Sequence, residues 1–215
     1  AARLDNLSGS MITSGTVAAA RIDNLSGSNI TIDPGSLVLF GTPSKFDGNL
    51  GGRSGADAIC LTYVDNESFS MINSCSNVRA VISVSATDEI RDMASNYSIP
   101  TNRKLRGING AFLGDGWDNL TGGSSGTDNL EHALSAGIPE LFFTDHNTNE
   151  KSQIWTGTES DESLGANHCD GWTDGTSSKY GEIGDPVRDP YKNGRFTNVS
   201  STGCQYTRRL LCVCY

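Results

Sequence analysis

Cysteine is the residue with the most chemistry to offer in this chain. There are six, Cys60, Cys75, Cys169, Cys204, Cys212 and Cys214, and none has the paired C-x-x-C spacing of a zinc ribbon. Histidine is scarce, occurring at His132, His146 and His168. An even number of cysteines spread through an acidic, Gly- and Asn-rich chain reads as three disulfides made in an oxidising compartment. On that reading no cysteine is left to act as a nucleophile.

Other catalytic patterns are missing as well. There is no GxSxG nucleophile turn, no HExxH zinc helix and no phosphate-cradling loop. Asp161 and Glu162 could be imagined as the carboxylate pair of a glycosidase; adjacent acidic residues in a polar stretch read more simply as a surface loop. Asp145, Asn147 and Asn149 alternate like the first half of an oxygen-ligand calcium loop. Glu150 stands where that loop needs glycine, and Thr156 where it needs a bidentate carboxylate, so calcium is a weak candidate and no other cofactor is implied. The expectation is a protein that is not an enzyme.

What remains is chemistry suited to recognition. Residues 112–132 are long, rich in Gly, Ser and Asn, and carry Trp117, Asp118 and Asn119. Residues 169–196 combine Trp172, Tyr180 and Tyr191 with Asp174 and further amides. Aromatic faces beside carboxylates and amides suit sugar rings and adaptable protein contacts, because rigid apolar area lies next to hydrogen-bonding groups. The candidate ligand-binding residues are Trp117, Asp118, Asn119, Asp174, Tyr180 and Tyr191.

The elements that must position these residues are short. "GSLVLFGT" (35–42) has the unbroken apolar run of a buried strand. Ala56, Ile59 and Cys60 have helical spacing, with Ser54 as the expected cap. "NVRAVISVS" (77–85) alternates like a strand, "ATDEIRDMASNY" (86–97) reads as a short helix, and "TRRLLCVCY" (207–215) as a closing strand. A strand would set Cys212 and Cys214 on one face, since its side chains alternate with period two.

Composition bounds the possibilities. At 215 residues, with 25 Gly and a formal charge of −9, the chain suits one packed domain plus an appendage. The acidic surface disfavours nucleic acid and anionic glycans as partners, and Arg208-Arg209 is too small a basic patch to change that. No apolar run reaches the ~20 residues needed to cross a bilayer, so membrane insertion is not expected. The chain opens at Ala1 without Met and reads as a fragment or processed form, so the lack of a signal peptide carries no weight.

The appendage is a repeat. "AARLDNLSGSMIT" (1–13) returns as "AARIDNLSGSNIT" (19–31), with eleven of thirteen positions identical. Residues 1–36 hold no aromatic residue and no cysteine, and "IDPGS" (32–36) punctuates a boundary before residue 37. So few apolar side chains cannot offset chain entropy within one copy. Exact repeats mark structures in which each unit needs a neighbour, the next repeat or the same repeat in another chain; with only two copies here, pairing between chains is the better answer. The phrase "GTVAAARID" (15–23) resembles repeats of phage tail fibres and of trimeric bacterial surface fibres, including those predatory bacteria use on prey. That resemblance implies a homotrimeric, β-rich fibre stem over residues 1–36.

The remainder, 37–215, also carries a resemblance. "GGRSGADAIC" (51–60) is similar to the stretch leading to a cysteine near the start of endostatin, the C-terminal collagen fragment. "VRAVIS" (78–83), "IWTG" (154–157), "CDGW" (169–172) and "CQYTRRLLCV" (204–213) follow in that family's order. The resemblance implies an α+β, C-type-lectin-like fold with disulfides Cys60–Cys212 and Cys169–Cys204, and with Cys75–Cys214 as the remaining pair. Cys60 and Cys75 could still exchange partners. It also implies that Trp155 and Trp172 are core residues, leaving Trp117, Tyr180 and Tyr191 as exposed contacts. The family's histidine zinc site and heparin-binding arginines are absent, as are the Glu-Pro-Asn and Trp-Asn-Asp motifs of calcium-dependent lectins; "WDN" (117–119) has the wrong order.

Together these readings describe an extracellular, cell-surface fibre whose tip is an adhesin for a glycan or protein on another cell. The competing readings are a structural cap that registers the trimer, a phage receptor-binding tip, and a glycan-processing enzyme.

Overall fold

The computed structural model describes residues 35–64, 75–107, 112–118, 153–184 and 200–215, all within one unit, Ile32–Tyr215. The repeats fall outside the described residues, as do Asn119, Asp145, Asn147, Asn149 and Tyr191.

The apolar run after the repeats forms β1, Leu37–Gly41, buried at every position. A strand without polar alternation must be covered on both faces, and β1 takes the central place. It pairs in parallel with β3, Leu105–Gly107, and antiparallel with β8, Leu211–Cys214. With β2, Val78–Ala80, beyond β8 and β4, Phe112–Gly114, beyond β3, the order is β2-β8-β1-β3-β4. The first and last described strands are therefore neighbours, with Val38 opposite Cys214 and Phe40 opposite Cys212.

Helix α1, Gly52–Val64, buries Ala56, Cys60 and Val64, a stripe at four-residue spacing. It begins at Gly52, so Ser54 is an exposed residue of its first turn and not its cap. The start is set by two left-handed glycines, Gly51 (φ 78°) and Gly52 (φ 69°), a conformation that glycine adopts without steric cost. The strand expected over 77–85 ends early. After Val81 donates its N–H to Leu211 O (2.8 Å), the chain leaves the sheet and Ser83 donates to Thr156 O (2.8 Å) instead. Residues 86–89 are turn rather than helix, followed by a 3₁₀ turn at Ile90–Asp92 and α2, Met93–Tyr97.

A second, antiparallel sheet contains β5, Ile154–Trp155, β6, Tyr180–Gly184, and β7, Ser200–Gly203, in that order. Trp155 N–H donates to Arg209 O (3.0 Å), stitching it to the chain entering β8. Trp155 of β5 and Trp172 are fully buried, with ring centroids 5.5 Å apart. Their indole N–H groups donate to Phe46 O (2.8 Å) and Ser83 O (2.7 Å), so neither polar edge is buried unpaired.

Three disulfides join Cys60 to Cys212, Cys75 to Cys214 and Cys169 to Cys204, with Cα separations of 5.9, 5.4 and 5.8 Å. The first two close loops of 152 and 139 residues onto alternate positions of β8. In the chain-entropy picture each contributes on the order of 5 kcal/mol. The chain thus forms a disulfide-bonded α+β domain, and bonds of this kind form in oxidising compartments. Among the described residues no helix is long and apolar enough to cross a membrane.

Candidate ligand-binding surface

Tyr180 opens β6 directly opposite Gly203 of β7. Directly opposed residues project to the same face, so the tyrosine's cross-strand neighbour has no side chain. Gln205 takes that space, its amide lying where a Cβ on Gly203 would collide with it. Tyr206 N–H donates to Gly203 O (3.0 Å), closing a turn. That turn keeps the Cα atoms of Tyr180 and Tyr206 within about 12 Å of each other. Both tyrosines are 53% exposed, and Gln205 between them is exposed as well.

Polar groups also cluster between two further segments, 47–49 and 173–178. Asp47 accepts the Asn49 N–H (3.0 Å), and its carboxylate lies against Gly175. Asn49 bridges to Thr173. Asp174 accepts the Thr176 N–H at 2.7 Å, and Thr176 and Ser178 share a hydroxyl hydrogen bond of 2.8 Å. Hydrogen bonding from the Thr176 side chain, then from its backbone, holds the Asp174 carboxyl below the usual carboxylate range, so it keeps its charge into mildly acidic solution. Two residues along β6 on the Tyr180 face, Glu182 is buried and accepts from Asn167 Nδ2 (2.7 Å). Burial, with a smaller contribution from the Glu159 charge, pushes its carboxyl up.

The arrangement offers two aromatic faces, an amide with both donors and an acceptor, hydroxyls and an ionised carboxylate. Those groups bind ring hydroxyls and apolar sugar faces together. They do not form a metal centre: among the described residues no group of three or more His, Cys, Asp or Glu is placed to hold an ion.

The predicted residues divide. Tyr180 belongs to this surface, while Asp174 is half-buried in the polar cluster with Thr176. Asp118 is exposed but follows β4, at the edge of the other sheet. Trp117 is a correction: it is 1% exposed and presents no face to a ligand. Its backbone N–H donates to Thr101 O (3.3 Å), and Gly116 packs so tightly on that carbonyl that no side chain fits there. The acidic loop is corrected in half. Asp161 lies on the surface and accepts the Ser163 hydroxyl (2.5 Å), whereas Glu162, at φ 62°, is only 3% exposed. Gln205 and Tyr206 went unnoticed within the cysteine-flanked stretch 204–213. The available signal was a polar–aromatic pair directly after a cysteine, a turn composition.

The fold and surface define the chain as a disulfide-bonded α+β domain carrying an exposed aromatic and polar rim. Comparison with protein families and with curated proteins finds no match.

Proposed function

We propose that the chain is the tip of a trimeric cell-surface fibre. It acts as an adhesin that recognises a glycan or protein on another cell. The stem is built by repeats 1–36 of three chains, and the tip is an endostatin-like, C-type-lectin-like domain. The observation that carries the recognition reading is the exposure of Tyr180 and Tyr206, with Gln205 exposed beside Gly203, the cross-strand partner of Tyr180. Support for the domain's kinship comes from the bridges Cys60–Cys212 and Cys169–Cys204, the two pairs that the resemblance implies, and from the two tryptophans buried as it implies. The bridges also support an extracellular location.

A shallow rim binds one sugar weakly. Three rims on one stem raise effective concentration, so avidity exceeds single-site affinity by a large factor. The carboxylates and the net charge of −9 favour neutral sugars over sialylated or sulfated ones. A glycan array and cell-binding assay with the intact chain tests the reading. Binding to neutral glycans that is lost in a Tyr180→Ala, Tyr206→Ala double variant is expected. Absence of binding to any glycan or cell surface would count decisively against it.

A further inference from the structure

The turn Cys169–Trp172 is wound the wrong way for L-amino acids. Cys169 (φ 48°), Asp170 (φ 56°), Gly171 (φ 67°) and Trp172 (φ 65°) are all left-handed. Non-glycine residues visit that region singly and seldom in succession, because Cβ crowds the carbonyl. Three of these four bear a Cβ, so something outside the turn must hold it.

Two anchors do so. At one end the Trp172 indole is fixed on Ser83 O (2.7 Å), and its own carbonyl accepts the Leu50 N–H (3.0 Å). At the other end Cys169 is bonded to Cys204. The sulfur of Cys169 sits in a prepared niche between two glycines. A Cβ on Gly48 would collide with it, and one on Gly181 would come within 2.8 Å. Cys204 is in turn fixed on both sides, its N–H donating to Lys179 O (2.9 Å) and its carbonyl accepting from Gly48 (2.8 Å).

The candidate surface departs from these two cysteines. Asp174 N–H donates to Cys169 O (3.0 Å) on the way to Tyr180, while Gln205 and Tyr206 follow Cys204 directly. The other two bridges both end on β8, in the five-stranded sheet.

We infer that Cys169–Cys204 is a local latch. It forces the left-handed turn and thereby positions Asp174, Tyr180, Gln205 and Tyr206, while the five-stranded sheet is held by the other two bridges. Opening the latch lets the turn relax toward right-handed geometry and disperses the rim without unfolding the sheet. The inference does not depend on what the rim binds.

Hydrogen exchange on the full chain tests it without any ligand. In a Cys169→Ala, Cys204→Ala variant, the amides of residues 171–174 and 204–206 should exchange at least tenfold faster, with those of β1 and β8 unchanged. Adding Asp170→Gly, which removes the crowded Cβ at an exposed left-handed position, should restore part of the lost protection. In the oxidised parent, Asp170→Gly alone should slow exchange at Trp172 and Thr173. Equal acceleration in β1 and β8, or loss of the folded state, would make the bridge a global staple and overturn the latch. Unchanged exchange in the turn would overturn it too, as would failure of Asp170→Gly to restore any protection.

Discussion

At the scale of single residues, Tyr180 and Glu182 sit two positions apart on one face of β6 and obey different physics. Tyr180 is half exposed opposite a glycine, so Tyr180→Ala should leave the unfolding midpoint nearly unchanged. It should weaken binding of an array-identified sugar at least about fivefold, the effect of losing roughly 1 kcal/mol of contact; isothermal titration would read it. Glu182 carries a cost for its buried charge. Its carboxyl is raised in the folded state, above the ~4.3 of an unfolded glutamate. Below the unfolded value both states are protonated and the burial is free. As pH rises toward the folded value the unfolded chain ionises first, and stability falls. Glu182→Gln keeps the acceptor for Asn167 and removes the charge. It should therefore be more stable than the parent at pH 7, with the difference vanishing near pH 4, measured by urea unfolding across that range.

At the scale of elements, α1 is joined to the sheet by a charged network that its apolar stripe does not reveal. Arg53 donates from Nε and Nη2 to Asp88 (2.8 and 3.0 Å), and from Nη1 and Nη2 to the carbonyls of Ala80 (2.7 Å) and Ile82 (2.6 Å). Asp57 accepts from Arg79 (2.7 Å) and from the Ala80 N–H (2.8 Å). The Tyr97 ring lies beneath both guanidinium groups, at 5.3 and 4.6 Å. Arg53→Met leaves a largely buried carboxylate and two carbonyls without their donor, and should cost about 3 kcal/mol in urea unfolding. Gly157, at φ 65°, marks where β5 meets the core. A Cβ there would stand 2.6 Å from Ser83 O and 2.8 Å from the Trp172 ring. Gly157→Ala combines backbone strain with overpacking and should cost about 2–4 kcal/mol by the same measurement.

For the whole molecule, the fibre reading makes a prediction of mass. The full chain should sediment as a trimer, and deletion of residues 1–36 should leave a folded monomer that retains its three bridges. Sedimentation equilibrium of both forms decides it; a full-length monomer would remove the stem from the proposal. The deleted form should also bind cells far more weakly than the trimer while keeping its single-site affinity, because avidity is lost and the rim is not.

Local pattern was enough for the elements that are apolar throughout. β1 and β8 were legible because an unbroken hydrophobic run has few places to go except the middle of a sheet. Cys212 and Cys214 were legible as one face of β8 because strand side chains alternate. The bridges Cys60–Cys212 and Cys169–Cys204 and the burial of Trp155 and Trp172 were expected only from a resemblance, and it left the partners of Cys60 and Cys75 open. The rim was not legible in full. Tyr180 is set near Gln205 and Tyr206 by the register that places it opposite Gly203, and no spacing along the chain encodes a cross-strand register. Trp117 has the same composition around it as an exposed tryptophan, yet it packs into the core. The left-handed turn is the extreme case: Gly171, and to a lesser degree Asp170, tolerate positive φ, but the preferences of Cys169 and Trp172 argue against it. By itself the sequence determined which segments must be buried and that the chain is stapled by disulfides, since burial and bonding follow from side-chain chemistry. Tertiary structure alone decided which polar and aromatic residues share a surface. Long-range packing fixes their backbone angles and their neighbours against what each residue would adopt alone.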